Sequence, residues 1–230
     1  MESIGFYTNE DRVCPDLGFG LPRDMFPERL PLGRDEKPII GVGLKDYFGP
    51  HGPGDRSDAN AYLDYLNTMA AFVVWLCDQQ YRVRVLIGDV LYDSSVRLDF
   101  IKLLKEHGLT TVDGRIIAEP VLTVDQLLYQ LAATDIVISP RFHNLVLALM
   151  LNIPVIALSS HQKLDSLMSG LGLAGYCVPL SDLRVDILIK HFTELQKDAD
   201  KLRPRIKRSV EQYREALDQE YSTIFAGQQA

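Results

Sequence analysis

The residues best suited to chemistry form a basic pair that directly follows a short apolar run. Arg141 and His143 stand after residues 136–138, a β-branched run typical of a strand buried in a parallel sheet. Apolar residues then recur at helical spacing over 145–150, so the pair should lie between a strand and a helix. Ligands bind at the carboxyl ends of strands in open α/β sheets, and the unpaired N–H groups of a helix start favour anions. The segment therefore predicts a site for a phosphate or a carboxylate.

Arg141 and His143 suit different parts of such a site. The planar guanidinium of Arg141 stays charged and can hold a carboxylate or phosphate through two hydrogen bonds, although pairing with a neighbouring carboxylate is the alternative. His143 can donate to a phosphate oxygen or act as an acid, because an imidazole titrates near neutral pH, or it can bond a backbone carbonyl. Asn144 can contact the ligand through its amide or cap the following helix.

Three more candidates follow other predicted strands. Lys163 comes after the strand at 155–158, where a cation in the first turn of a helix opposes the helix dipole and so indicates an anionic partner. Without such a partner it is a solvated lysine. Asp89 and Glu119 follow two earlier strands, and acids in such loops bind hydroxyl groups of a ligand or cap the next helix.

Short strands alternating with helices must position these residues. The alternation predicts an α/β fold with a doubly wound, mostly parallel Rossmann-like sheet. Strands are predicted at residues 39–44, 83–87, 116–118, 136–138, 155–158 and 176–178. Helices are predicted near residues 58–80, 95–106, 124–133, 145–150, 163–170 and 183–197.

The composition of the chain excludes several classes of protein. Its 230 residues and 47% hydrophobic content predict one globular core, and the net charge of -7 argues against binding of nucleic acid. Cys14, Cys77 and Cys177 lack the spacing of a zinc site or a disulfide framework, which argues against a structural metal and favours a reducing cytoplasm; no cluster of metal ligands is visible in the sequence. No secretory signal, membrane span or nucleotide-binding fingerprint is predicted.

These segments together resemble the polysaccharide pyruvyl transferase family. The triplet 141–143 (Arg-Phe-His), the Asn-x-Pro-Val-Ile pattern at 152–156 and the downstream Lys163 occur in the family's order. Residues 14–19 and 40–44 also resemble parts of the family's pattern. The resemblance covers the second half of the family's pattern without an upstream domain, and it implies a single GT-B-type carboxyl-terminal domain.

The resemblance implies transfer of a pyruvyl ketal from phosphoenolpyruvate to a sugar of a cell-surface polysaccharide or its precursor, without a further cofactor. The phosphate and carboxylate of this donor need fixed positive charge, and its methylene carbon needs an acid. His143 is the implied acid, Lys163 assists donor binding, and the two loop acids orient the sugar. The substrate-binding residues that the resemblance and the strand-end positions suggest are Arg141, Phe142, His143, Asn144, Lys163, Asp89 and Glu119.

The chain divides into three parts under this interpretation. Residues 1–36, in which prolines are spaced through polar sequence, predict an irregular linker or the remnant of an interdomain segment. Residues 37–200 form the donor-binding domain, with a glycine- and proline-rich loop at 49–55 over its crevice. Residues 201–230 predict an amphipathic helix that must be buried by folding back, by dimerisation or by a partner domain. Its apolar stripe comprises Ile206, Val210, Tyr213, Leu217, Tyr221 and Ile224.

Two other functions remain open at this point. A GT-B glycosyltransferase domain would use the same helix start to grip the pyrophosphate of a nucleotide sugar. A non-catalytic module would bind a partner through its last helix, and Tyr213 and Leu217 would then be needed for association. If the chain is a donor-binding half, donor binding should survive in isolation while turnover is lost, because catalysis needs both halves of a crevice.

Overall fold

The computed structural model describes residues 14–28, 37–47 and 58–225. Its strands are β1 (Ile39–Gly43), β2 (Arg82–Leu86), β3 (Ile116–Ile117), β4 (Ile136–Ser139), β5 (Val155–Ser159) and β6 (Cys177–Pro179). Its helices are α1 (Ala59–Asp78), α2 (Asp93–Glu106), α3 (Val124–Ala132), α4 (Phe142–Met150), α5 (Gln162–Gly170) and α6 (Val185–Phe225). Within these ranges no helix combines the length and the apolar character needed to cross a membrane. The predicted loop at 49–55 and residues 1–13, 29–36 and 226–230 lie outside the described part of the chain.

The six strands form one parallel sheet in the order β3-β2-β1-β4-β5-β6. In the middle of the sheet, Val42 of β1 lies opposite Val85 of β2 on one side and Ile138 of β4 on the other. From the central strand β1, the chain adds β2 and β3 towards one edge of the sheet. It then returns to the centre, where β4 pairs with β1, and adds β5 and β6 towards the other edge. The predicted doubly wound sheet is thus confirmed. Its direction switches between β1 and β4, which is where ligands bind in this class of fold.

The central strands are buried on both faces, because helices pack on both sides of the sheet. Every residue of β4 and of β5 is buried, and so is all of β1 apart from its first residue. This two-sided burial explains why these strands appear in the sequence as continuous apolar runs rather than as alternating ones. The rigid sheet fixes the positions of the loops at its carboxyl edge.

The last helix is longer than predicted. Over the described residues, the predicted helices at 183–197 and 201–230 merge into one helix, α6, and the predicted domain boundary at residue 200 marks no break in it. The polar residues at 197–201 are exposed or half-buried, and polar side chains on such a face do not end a helix. Pro204 lies inside α6, where its ring nitrogen cannot donate the backbone hydrogen bond of a helix interior, yet the helix continues to Phe225.

The first part of the apolar stripe on α6 folds back onto its own chain, as one of the predicted alternatives required. Ile206, Val210 and Leu217 are buried. Tyr221 and Ile224 are exposed instead, since the described part of the chain covers the stripe only as far as Leu217. Dimerisation or a partner domain at the end of α6 stays a prediction.

Residues 14–28 pack into the domain, which corrects the prediction of a linker that only wraps over a surface. Phe19 is fully buried, and its ring meets that of Tyr213 edge to face with 5.1 Å between the ring centroids. Arg214 of α6 donates to the carbonyl of Phe19 at 2.8 Å. This packing brings Asp16, which precedes Phe19, to the carboxyl edge of the sheet.

Candidate anion-binding site

A cavity of about 330 Å³, here called the central crevice, opens where β1, β2, β4 and β5 end. It lies at the switch point of the sheet, so the predicted position of the ligand site coincides with a crevice. The predicted residues Asp89, Arg141, Phe142, His143 and Lys163 all line it. The complete lining consists of Lys45, Gly88, Asp89, Pro140, Arg141, Phe142, His143, Ser160, His161, Lys163 and Leu164.

Arg141 is held in the crevice by a buried carboxylate. Asp93, the first residue of α2, is fully buried and accepts hydrogen bonds from Nε of Arg141 at 2.8 Å and from its Nη2. This two-point pair fixes the plane of the guanidinium of Arg141, which still lines the crevice and keeps N–H groups that Asp93 does not use. Pairing with a carboxylate, the alternative to ligand binding, therefore does occur. It orients Arg141 without removing it from the crevice.

Asp93 also shapes the turn that follows β2. It accepts from the backbone N–H of Gly88 at 3.1 Å and from that of Asp89 at 3.0 Å. The carboxylate of Asp89 in turn accepts from the N–H groups of Leu91 at 3.0 Å and Tyr92 at 3.2 Å. Asp89 thus lines the crevice but makes the backbone contacts that were the alternative to substrate binding.

Two helices begin at the crevice without a side-chain cap. Arg141 precedes α4 and His161 precedes α5, and neither side chain accepts a hydrogen bond from the first turn of its helix. Both helices are nine residues long, so the N–H groups of their first turns carry the positive end of a helix dipole. The crevice therefore offers backbone donors from two directions in addition to its basic side chains.

Lys45 adds an ammonium group from the end of β1. Burial lowers the pKa of Lys45, the nearby charge of Arg141 lowers it further, and Asp93 acts in the opposite direction. Its Nζ lies 4.4 Å from the ring centroid of Tyr47, whose hydroxyl accepts a hydrogen bond from Ser160 at 3.0 Å. A partly desolvated ammonium beside a guanidinium is stabilised when an anion binds between them.

A second carboxylate links two of the predicted site residues. Nζ of Lys163 lies 2.9 Å from Oδ2 of Asp16 and 3.8 Å from the ring centroid of Phe142. Nε2 of His143 lies 4.0 Å from Oδ1 of Asp16. Partial burial acts to raise the pKa of Asp16, but hydrogen bonds from Lys163 and from the N–H of Gly18 outweigh it, so this pKa lies below its usual value. Asp16 is therefore ionised at neutral pH.

Asn144 and Glu119 lie outside the lining of the crevice. Asn144 is fully buried, and neither its amide nitrogen nor its amide oxygen has a hydrogen-bond partner in the described part of the chain. Its Oδ1 lies against Gly88, where an added Cβ would come within 2.9 Å of it. Glu119 pairs with Arg84 at 3.1 Å and its side chain is 57% exposed. Substrate binding by these two residues stays a prediction.

Reasoning from the sequence missed Asp93 and Asp16 as parts of the site. Asp93 is 48 positions from Arg141, so no local pattern connects the two. Its only signal was an acid near the end of a predicted strand and the start of a helix. Asp16 lies within residues 14–19, which resemble part of the family's pattern, and this resemblance could have pointed to Asp16 as a site residue.

The fold and the crevice together define a Rossmann-like domain with a basic crevice at the switch point of its sheet. A sequence model described as "Polysaccharide pyruvyl transferase" matches residues 1–162, which is more than half of the chain. The chain therefore belongs to the polysaccharide pyruvyl transferase family. The match includes Asp16, Asp93, Arg141 and His143 and ends one position before Lys163. No curated protein sequence matches the chain significantly.

Two solved structures are among those that superpose on this chain. UDP-GlcNAc 2-epimerase from Neisseria meningitidis, bound to UDP-GlcNAc, superposes with a TM-score of 0.50 at 12% identity, over 82% of this chain and 46% of that one. The chain thus spans about half the length of this relative. The carboxyl-terminal domain of a group 1 family glycosyl transferase from Francisella tularensis gives a TM-score of 0.48 at 17% identity, over 94% of this chain and 95% of that domain. At these identities the likeness concerns the fold alone.

Proposed function

We propose that the central crevice binds phosphoenolpyruvate and that the chain is the donor-binding half of an enzyme that transfers a pyruvyl group to a saccharide. The observation that carries the proposal is the convergence of Lys45, Arg141, His143 and Lys163 with two uncapped helix starts on one cavity. Phosphoenolpyruvate carries a carboxylate and a phosphate on three carbons, so it needs several cationic donors at short range. Membership of the family supports a pyruvyl group as the group that is transferred.

The proposed reaction joins C2 of the donor to two oxygens of the saccharide. One hydroxyl group adds to C2 while C3 takes up a proton and becomes a methyl group. The bond between C2 and the phosphate oxygen then breaks, and the second hydroxyl group closes the ketal at C2. One hydroxyl proton ends on the methyl group and the other on inorganic phosphate, so the step needs no oxidant or reductant.

The residues of the crevice have different roles in donor binding and proton transfer under this proposal. Arg141, oriented by Asp93, grips the carboxylate or the phosphate through its remaining N–H groups. Lys45 and the helix starts add charge and backbone donors on the same ligand. His143, whose side chain is 69% exposed, reaches the mouth of the crevice and serves as the acid for C3. Phe142 supports Lys163 through its ring face.

The finer expectations belong to the same proposal. The acceptor is a sugar of a cell-surface polysaccharide or its precursor, the reaction takes place in the cytoplasm, and no cofactor takes part besides the donor substrate. Turnover by this chain alone should be weak, because the reacting groups must be held from both sides of a crevice to reach an effective geometry.

Calorimetric titration of the wild-type chain with phosphoenolpyruvate, inorganic phosphate and UDP-GlcNAc tests the donor. We expect saturable binding of phosphoenolpyruvate that is at least about tenfold tighter than binding of phosphate, because the carboxylate adds contacts. Binding of UDP-GlcNAc without binding of phosphoenolpyruvate would favour glycosyl transfer and contradict the proposal. Absence of binding with all three ligands would contradict the proposal as well.

A further inference from the structure

A second cavity, here called the side cavity, lies next to the central crevice. Its volume is about 390 Å³, which is within the range of small-molecule sites. Phe142 and Lys163 line both cavities, so these two side chains form a shared wall. The lining consists of Cys14, Pro15, Asp16, Phe19, Phe142, Lys163, Ser166, Leu167 and Tyr213.

The side cavity combines aromatic surfaces with the exposed hydroxyl group of Ser166. Phe19, Phe142 and Tyr213 contribute their rings. The hydroxyl groups of Ser166 and Tyr213 make no hydrogen bond within the described ranges, although the Tyr213 ring is held in place by its edge-to-face contact with Phe19. The hydroxyl of Tyr213 lies against Gly170 of α5, and burial raises its pKa, so it stays protonated at neutral pH.

The charges of the side cavity differ from those of the central crevice. Its ammonium group, that of Lys163, is already paired with Asp16 at 2.9 Å. The carboxylate of Asp16 repels other anions, but each of its oxygens has a further lone pair that can accept a hydrogen bond from a neutral hydroxyl group. The side cavity is therefore poorly suited to a second anion and well suited to a neutral ligand that has several hydroxyl groups.

We infer that the side cavity is the site for the neutral saccharide acceptor and that Asp16 orients an acceptor hydroxyl group at the wall shared with the central crevice. This inference rests on the proposed function, since the donor must occupy the central crevice for the two sites to cooperate. The apolar face of a pyranose ring packs on the aromatic side chains, and its hydroxyl groups bond to Asp16 and Ser166. Sharing a wall places the attacking hydroxyl groups close to the donor, as the reaction requires.

Cys14 offers a direct reporter of ligands in the side cavity. It lines the cavity and is exposed. Burial raises the pKa of Cys77 to about 11, and burial together with a hydrogen bond to Asp165 raises the pKa of Cys177 to about 12. Because the thiolate is the reactive form, iodoacetamide at neutral pH should alkylate Cys14 first.

The experiment measures the rate of Cys14 alkylation by mass spectrometry in the presence of the methyl pyranosides of glucose, galactose and mannose. We expect at least one of the three sugars to slow alkylation in a saturable manner, while phosphoenolpyruvate leaves the rate within about twofold because it occupies the other cavity. A Cys14→Ser variant verifies which thiol is labelled.

Two tryptophan variants on α5 test whether the sugar binds in the side cavity. Ser166→Trp places a bulky side chain in the side cavity, whereas Ser169→Trp lies on the same helix, is exposed and does not line the cavity. For these variants Cys14 is replaced by serine, and sugar affinity is measured by saturation-transfer NMR. We expect Ser166→Trp to weaken the sugar by at least about tenfold and Ser169→Trp to leave it unchanged, with phosphoenolpyruvate affinity retained in both.

The outcomes separate the inference from the proposed function. Loss of sugar binding in Ser166→Trp alone, with phosphoenolpyruvate affinity retained, supports the inference. Equal sugar affinity in the two variants, or no protection of Cys14 by any of the three sugars, overturns it and leaves the donor proposal standing. Absence of phosphoenolpyruvate binding in the wild-type chain overturns the proposed function, and the acceptor assignment falls with it.

Discussion

At the scale of the residue, the pairing of Arg141 with Asp93 explains how the crevice keeps an arginine in one orientation. Asp93 is fully buried and also accepts from the N–H groups of Gly88 and Asp89, so its charge is well compensated. The pair reduces the net charge that Arg141 offers to an anion. In return, the guanidinium plane of Arg141 is fixed, while Lys45 and the helix starts supply further positive potential.

Replacement of Asp93 by asparagine should be strongly destabilising. The variant leaves a largely buried guanidinium without its counter-charge, and removal of one partner of a buried pair costs about 3–5 kcal/mol. Urea denaturation gives the free energy of unfolding. Asp113→Asn is the control, because its pair with Arg115 is exposed, and it should change stability little. Similar losses in the two variants would show that Asp93 does not hold a buried charge.

The lowered pKa of Asp16 predicts the direction in which the free energy of unfolding changes with pH. Because the pKa of Asp16 is lowered in the folded chain, its ion pair stabilises the fold above the pKa of an unfolded carboxyl, about 4, and this contribution is lost as pH falls through the folded pKa. The free energy of unfolding of the wild-type chain should therefore exceed that of Asp16→Asn at pH 5 to 7, and the difference should disappear in acid. The exposed Asp24→Asn serves as the control, and a difference that grew in acid would contradict the assignment.

At the scale of the element, the turn after β2 sets how closely α4 approaches the crevice. A Cβ on Gly88 would lie 2.9 Å from Oδ1 of Asn144 and 3.0 Å from Cβ of Arg141. Gly88→Ala should therefore displace α4 or the turn, cost about 1–3 kcal/mol and weaken phosphoenolpyruvate binding. Gly175→Ala is the matched control, because no atom lies within 4 Å of a Cβ added there. Unfolding and titration should show losses in the first variant alone.

The elements of the sheet were predictable because their cause is local. Continuous apolar runs at 136–138 and 155–158 reflect strands buried on both faces, and each predicted strand has a counterpart in the sheet. The continuity of α6 was not predictable in the same way, because polar residues at 197–201 and Pro204 can end a helix or be tolerated within one. Only packing against the rest of the chain decides between these outcomes.

At the scale of the whole molecule, the doubly wound sheet gathers residues that are far apart in the sequence. Because the carboxyl ends of parallel strands meet at one edge of the sheet, Arg141, His143 and Lys163 were expected to lie close together, and they line one cavity. It could not place Asp93 or Asp16, because each meets the site through tertiary packing that no local periodicity encodes. The same packing of residues 14–28 onto α6 creates the side cavity beside the central crevice.

The most direct measurement is the affinity of phosphoenolpyruvate for Arg141→Lys beside that for Arg115→Lys. Lysine keeps the charge but loses the planar fork, so we expect Arg141→Lys to bind phosphoenolpyruvate at least about tenfold more weakly than the wild-type chain. Arg115 pairs with Asp113 at the surface, and its variant should bind like the wild type. Equal affinity in the wild-type chain and in Arg141→Lys would contradict the assignment of the central crevice as the donor site.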